Sequence, residues 1–283
     1  MKISIVIATY NSEKFILDCL SSIEEATQAI PHEILIIDNN SHDKTKKRIR
    51  QHSELITLIE NPGNYGFARA VNLGIAKSCG EFCLLMNPDI IVKSKDLSPL
   101  IQFMEQNPKV GICGCKLLNL DDSLQFSKGS FSTLPATLFR VVLPRRMRKY
   151  HLWGYDKVGK CEWVTGAFML IRREVIDQMG GFDENYFLYY EDMDYCRKAQ
   201  LRGWETFFFH SIEAYHLSPH AISRKGNQIE REIRKSRLYY FRKNNLWFSY
   251  FVLFLLTGIF EEWTFLPERL IKKTYPAVAS FKK

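Results

Sequence analysis

Three carboxylates crowd four consecutive positions at Glu191-Asp192-Met193-Asp194, directly after Phe187-Leu188-Tyr189-Tyr190. Like charges packed this closely behind apolar side chains raise the proton affinity of one member, which suits a general base. The plainer reading is a helix N-terminus, where the dipole favours acids. Both can hold, with one acid capping while another projects into a cleft.

Three other places carry chemistry. Asp38 ends the apolar run Ile36-Ile37-Asp38-Asn39-Asn40. A carboxylate there can accept the imide N–H of a uracil or thymine ring, or it can lock the following turn. Asn87-Pro88-Asp89 follows the apolar run Phe82–Met86. Asp89 can hold a divalent cation that also binds a diphosphate, and oxygen ligands of this kind suit Mg2+ or Mn2+. Asn-Pro-Asp is equally a turn sequence. His216 can complete a metal site or touch a diphosphate, although a lone histidine is as readily structural.

The elements needed to position these groups are legible. Ile3–Ala8 is a continuous β-branched run, predicted to be a central parallel strand beginning almost at the first residue. Thr9-Tyr10-Asn11-Ser12 breaks it, and Asn11 or Ser12 is expected to cap the next helix. Strands are predicted at Glu33–Ile37, Leu55–Ile59, Phe82–Met86, Gly111–Leu118, Trp163–Arg172 and Glu205–Phe209. Helices are predicted from Phe15 past Ile23, from Asp43 to a basic end at Lys46-Lys47-Arg48, and over Phe67–Ala76, Leu97–Gln106, Glu174–Met179 and Asp192–Arg202. Residues 120 to 160 read as a basic, loop-like stretch that could serve as a lid. Alternating strands and helices make a doubly wound, mostly parallel α/β sheet. Such sheets bind ligands beyond the carboxyl ends of their strands. Thr9–Asn11, Asp38–Ser41 and Asn87–Asp89 all stand at strand ends, so topology alone brings them to one crevice.

Composition narrows the classes. The 283 residues include 25% charged side chains, ordinary for a folded globular chain, and the net charge of +8 suits a polyanionic partner. Seven cysteines without a CxxC pair speak against a disulfide framework or a zinc site and for reduced thiols in a cytosolic setting. The N-terminus lacks the longer apolar region and cleavage site of a signal peptide. No GxGxxG, P-loop or GxSxG elbow is present. Nucleic-acid binding fits the charge alone, and no binding motif supports it.

Basic residues concentrate around Arg140–Lys149, Arg224–Lys243 and after Arg269. Beside the second patch, Leu246–Phe260 is aromatic-rich and apolar but shorter than the roughly 20 residues that cross a bilayer. A helix lying in an anionic membrane surface fits it, as does a core helix or a dimer contact.

In this order the motifs resemble family 2 glycosyltransferases of GT-A-type fold, on their rhamnosyltransferase-like branch. The stretches that carry the resemblance are Ser4–Asn11, Ile36–Ser41, Asn61–Asn72, Leu84–Asp89, Val164–Ala167, Gly180–Glu184, Phe187–Asp194, Gly203-Trp204 and His216. The resemblance implies an inverting transferase with a nucleotide-sugar half over 1–118, an acceptor and catalytic half over 119–220, and a helical extension over 221–283. It implies that Thr9, Tyr10, Asn11, Asp38, Asn40, Arg69 and Asn72 gather around the donor, with Thr9 and Asp38 on the pyrimidine. Asn87 and Asp89 would hold metal and diphosphate, with Asn87 replacing the first Asp of a full DxD motif, and His216 would add a ligand. Asp192 matches the general base with Glu191 as understudy, and Thr165 and Gly166 border the acceptor. The donor expected is dTDP-L-rhamnose or a UDP-sugar. The acceptor expected is a glycan or a polyprenyl-pyrophosphate-linked saccharide at the cytoplasmic face of a membrane. An oligomer is left open. The rivals are a sugar nucleotidyltransferase and a non-catalytic nucleotide-sugar-binding module; the acid cluster has no use in the latter.

Overall fold

The computed structural model describes residues 1–53, 56–142, 154–217, 226–244 and 246–255. Four parallel strands form one half of the main sheet: β1 (Ile3–Thr9), β2 (His32–Asp38), β3 (Thr57–Glu60) and β4 (Phe82–Met86). The other half contains β5 (Ile90–Val92), β6 (Val110–Leu118), β8 (Gly159–Cys161), β10 (Phe168–Arg172) and β11 (Glu205–His216). The order is β3-β2-β1-β4-β10-β6-β11-β5, with β8 beside β11. Strand β10 runs against β4 and β6, and β5 and β8 run against β11. The rest are parallel, as the apolar runs predict. A small ribbon pairs β7 (Lys128–Gly129) with β9 (Trp163–Val164).

Alternation along β1 sets the two faces. Ile3, Ile5 and Ile7 pack against α1 (Ile16–Ala26), α2 (Thr45–His52) and α4 (Ser98–Gln106). Val6 points the other way, into a core with α3 (Phe67–Lys77), α6 (Arg173–Met179), α7 (Glu191–Gln200) and α8 (Gly226–Lys243). Each fully buried isoleucine contributes about 1.5–3 kcal/mol relative to exposure, which fixes the register of a strand covered on both faces.

Several expectations need correction. Neither Asn11 nor Ser12 caps α1 with its side chain, because the helix starts only at Ile16. The Ser12 carbonyl accepts the Phe15 and Ile16 N–H groups instead. Lys46, Lys47 and Arg48 lie near the start of α2, whose last turn carries Arg50 and His52. The run 163–172 is two strands, since Thr165-Gly166-Ala167 turns the chain between sheets. Residues 120 to 160 are not all loop. Besides β7 and β8 they hold the helix α5 (Leu134–Val142), whose Leu134 and Leu138 pack on the second core. Residues 143–153 lie outside the described residues.

The strand directions decide where function can sit. The carboxyl ends of β1, β2, β4 and β11 and the amino ends of β5 and β10 share one edge of the sheet. Asp38, Asn87–Asp89, Thr165–Ala167 and His216 all belong to that edge.

Candidate active site

The first wall is the end of β1 and β2. Thr9 and Asp38 are direct partners across the two strands. Asp38 is fully buried. It accepts from Thr9 Oγ1 at 3.0 Å, Ser41 Oγ at 2.5 Å and Ser41 N–H at 2.8 Å, so it locks the turn that follows β2. Asn40 adopts φ 63° in that turn. Asn11, at φ 52°, accepts the His42 N–H through Oδ1 and ties the β1 loop to the β2 loop. The buried Asn39 donates to the Gly66 carbonyl at 3.0 Å and accepts from Asn61 Nδ2 at 2.9 Å. Tyr10 is exposed at the lip.

Helix α3 supplies the second wall. Gly66 precedes it at φ 84°, and a Cβ there would stand 2.3 Å from the Phe187 carbonyl oxygen. Only glycine fits both demands. Arg69 lies over the Tyr65 ring at 4.2 Å, with its Nε 3.9 Å from Glu184 Oε2. Asn72 is placed differently from the donor-side expectation. Its amide accepts the Phe182 N–H and donates to the Phe182 carbonyl and to Glu184, so it clamps the Gly180-Gly181-Phe182 turn.

The third piece is Asn87-Pro88-Asp89. The Asn87 N–H donates to the Ala167 carbonyl at 3.0 Å, stitching β4 to the turn before β10. Asp89 is buried, and its carbonyl accepts the Leu217 N–H. His216 Nε2 lies 3.4 Å from Asp89 Oδ1 without hydrogen-bond geometry, so this buried nitrogen has no hydrogen-bond partner. Gln125 Nε2 donates to the His216 carbonyl and to Asn119 Oδ1, so Gln125 Oε1 is an acceptor, and it lies 3.1 Å from His216 Nδ1. With Nδ1–H turned to Gln125, a neutral imidazole presents its Nε2 lone pair to the Asp89 carboxylate. A lone pair and a carboxylate oxygen this close suit a shared cation. Two protein ligands fit an ion whose other positions are filled by diphosphate oxygens and water. No cluster of three or more ligating side chains occurs among the described residues.

The acids complete the edge. Tyr189 and Tyr190 both have positive φ, 68° and 70°, immediately before α7. Such strain is tolerated where packing over-determines it and is common at functional sites. It turns the first residues of α7 toward the crevice. Half-buried Asp192 accepts the Gly166 N–H at 3.0 Å and the Met193 N–H at 2.7 Å. Glu191 is buried, and its Oε2 has no hydrogen-bond partner. Burial pushes the Glu191 carboxyl well up, with Asp192 adding to it, and burial also pushes Asp192 up. Burial raises the Tyr189 phenol, and the charges of Glu191, Asp89 and Asp192 raise it further. Asp192 is tied to Gly166 and Asn87 to Ala167, so the acid loop and the Asn87–Asp89 turn meet at one turn of the chain. Asp194 faces away, bonded to Lys243 at 2.6 Å and Asn244 at 3.3 Å.

Strand β1 separates β2 from β4, so Asp38 and the Asn87–Asp89 turn stand about 10 Å apart across two strand spacings. The edge therefore has a buried carboxylate turn after β2, the raised Asp192 carboxylate at Gly166 before β10, and the Asp89–His216 pair at the β11–β5 end. Gln125, Asn39, Ser41, Tyr189 and Lys243 were not singled out by the sequence as site residues. Nothing in the spacing around Gln125 marks it, since its partner lies 91 positions away.

The Glycosyl transferase family 2 profile matches residues 4–180. An N-acetylglucosaminyl-diphospho-decaprenol L-rhamnosyltransferase of Mycobacterium tuberculosis is 28% identical over 241 residues, 78% of this chain and 77% of the relative. The Escherichia coli rhamnosyltransferase WbbL is 26% identical, covering 76% of this chain and 83% of the relative. Among solved structures, a Pyrobaculum calidifontis mannosyltransferase in complex with GDP-Man and Mn2+ superposes with TM-score 0.60 at 19% identity, over 86% of this chain and 64% of that one. Staphylococcus aureus TarS gives TM-score 0.55 at 20% identity, over 86% of this chain and 72% of the TarS chain. These likenesses establish a GT-A fold. The chain belongs to glycosyl transferase family 2 and is a glycosyltransferase of its rhamnosyltransferase-like branch.

Proposed function

We propose that this glycosyltransferase moves L-rhamnose from dTDP-L-rhamnose to a hydroxyl of a lipid-linked saccharide or glycan, with inversion, in bacterial surface polysaccharide synthesis. The observation that carries the reading is Asp192, held by the Gly166 N–H on the same edge as the Asp89–His216 pair. The names of the Mycobacterium tuberculosis and Escherichia coli relatives support the sugar and, for the first, a polyprenyl-diphosphate-linked acceptor.

In the proposed reaction the donor nucleotide lies along Thr9, Tyr10, Asn11, Asp38, Asn40 and Arg69, with Asn87 and Asp89 under the diphosphate. The acceptor enters past Thr165 and Gly166. Asp192 takes the acceptor hydroxyl proton as the oxygen attacks the anomeric carbon. The carbon–oxygen bond to the diphosphate breaks, and its electron pair leaves with the nucleoside diphosphate. Asp89 and His216 would hold a Mg2+ or Mn2+ ion, which supplies positive charge against the departing diphosphate. Burial pushes the Glu191 carboxyl toward its neutral form, which lessens the charge beside the base. Residues 1–220 would form the transferase domain, divided near 118 into donor and acceptor halves. The proposed setting is the cytoplasmic face of a membrane.

A thermal-shift screen of nucleotide sugars with and without Mn2+ tests donor and cation together, since any ligand preferring the native state raises Tm. The expected result is a shift with dTDP-L-rhamnose that grows with Mn2+. A larger shift with a UDP-sugar would replace the donor. A shift with a nucleotide sugar but no transfer product with any acceptor would leave a non-catalytic nucleotide-sugar-binding module.

A further inference from the structure

The second core is closed on one side by the C-terminal segment. Tyr240 and Phe241 of α8 are fully buried in it, with Leu253 beyond. Residues 247–255 form a second helix. Its inward side chains are Tyr250 and Leu253. Its outward ones are large and apolar: Trp247, Phe248, Phe251, Phe254 and Leu255 are 49%, 77%, 57%, 51% and 63% exposed. A soluble surface rarely gathers this many large apolar groups without a partner.

Charge accompanies the face. Helix α8 carries six basic and two acidic side chains. Arg231, Lys235 and Arg242 are exposed, and their spacing of four and seven puts them on one side of α8. Ser236, Tyr240 and Phe241 occupy the buried side. No helix among the described residues is long and apolar enough to cross a membrane. Exposed aromatics on a helix that directly follows a cationic one match a bilayer interface, where rings enter the acyl boundary and the cations meet anionic headgroups.

We infer that Trp247, Phe248 and Phe251, with the Lys235–Arg242 face of α8, form a docking surface for an anionic lipid bilayer. The surface is rigidly joined to the catalytic edge. Ser236 Oγ donates to the Leu188 carbonyl, two residues from the strained Tyr190, and Lys243 binds both Asp183 and Asp194. Docking therefore fixes how the Asp192 crevice faces the membrane. The surface itself does not depend on which sugar or acceptor the enzyme uses.

The test is flotation of the full chain with vesicles of phosphatidylglycerol and phosphatidylethanolamine, against phosphatidylcholine alone. The chain should float with the anionic vesicles only, and added salt should weaken it. Combined Trp247→Ser, Phe248→Ser and Phe251→Ser should lower partition by about tenfold or more. A second variant, Lys235→Glu with Arg242→Glu, keeps the aromatics and should lose the preference for anionic lipid. Failure of the parent to float, equal flotation of parent and both variants, or a dimer broken by the serine substitutions without any vesicle binding would overturn the proposal. The donor-dependent thermal shift, measured on the same proteins, separates this outcome from failure of the rhamnosyl reading. It should survive both sets of substitutions.

Discussion

Lys243 Nζ sits 2.6 Å from Asp194 Oδ2, so the C-terminal helix grips the helix that carries the base. Asp194 is 5% exposed, and a buried carboxylate that loses its cation is costly. Lys243→Met should therefore destabilise the chain by about 2 kcal/mol in denaturant unfolding, the partial exposure of Lys243 reducing the usual buried-pair figure. It should also lower kcat by about tenfold with donor KM held, because α7 loosens while the donor wall does not. Lys243→Arg should restore most of both.

The same lysine gives a pH signature. Burial pushes the Asp183 carboxyl up, but bonds from Lys243, Asn185 and Tyr239 outweigh it and hold it at about 2. A carboxyl depressed in the folded state stabilises the fold above its ordinary value near 3.8 and loses that contribution as pH falls toward 2. The stability gap between parent and Lys243→Met should be full at neutral pH and narrow between about pH 4 and pH 2. Thermal unfolding across that range measures it.

Glu191 and Asp192 should separate under substitution. Asp192→Asn should reduce transfer by about 10²–10⁴-fold while the donor-induced thermal shift persists. Near-parental turnover would move the base role to Glu191. Glu191→Gln should retain transfer and stabilise the protein. Its carboxyl is raised in the fold, so its contribution is present below the ordinary value near 4.5 and lost as pH rises. The Tm advantage of the glutamine should grow upward from about pH 4.5.

The cation pair predicts a positioning role for Gln125. Removing its acceptor with Gln125→Leu frees the imidazole to rotate or change tautomer. Outer-shell partners of metal-binding histidines are typically worth about 10–100-fold in metal affinity. The Mn2+ concentration needed for half-maximal thermal shift should rise by that factor, and His216→Ala should remove the Mn2+ increment altogether.

Gly66 tests the wall between donor and acid loops. Gly66→Ala places a methyl against the Phe187 carbonyl at a left-handed φ. A cost of about 2–3 kcal/mol in unfolding free energy is expected. Gly166→Ala, whose Cβ would stand 3.3 Å from the Phe67 ring and 3.6 Å from Asp192 Cβ, should cost much less.

Much of this was legible in the chain. Continuous β-branched runs gave the central strands because a strand covered on both faces has no polar side to show. Strand polarity gathers Thr9, Asp38 and Asp89 at one edge of such a sheet. The limits were equally physical. Gly166 is the break within the apolar run 163–172, but an isolated glycine fits a bulge in one strand as well as a turn between two. The family resemblance puts Asn72 at the donor, while its hydrogen-bond partner, the Phe182 backbone, lies 110 positions on.

Sequence by itself determined the sheet, the family and the identity of the acids, since these follow from local periodicity and ordered motifs. Tertiary structure alone decided their states. Burial first of all raised Glu191 and Asp192, with the neighbouring Asp192 adding to Glu191, and folding sent Asp194 to Lys243. Only folding set Gln125 behind His216 Nδ1 and turned Nε2 toward Asp89. Proton affinity and lone-pair direction depend on neighbours brought together through space, which no run of adjacent residues encodes.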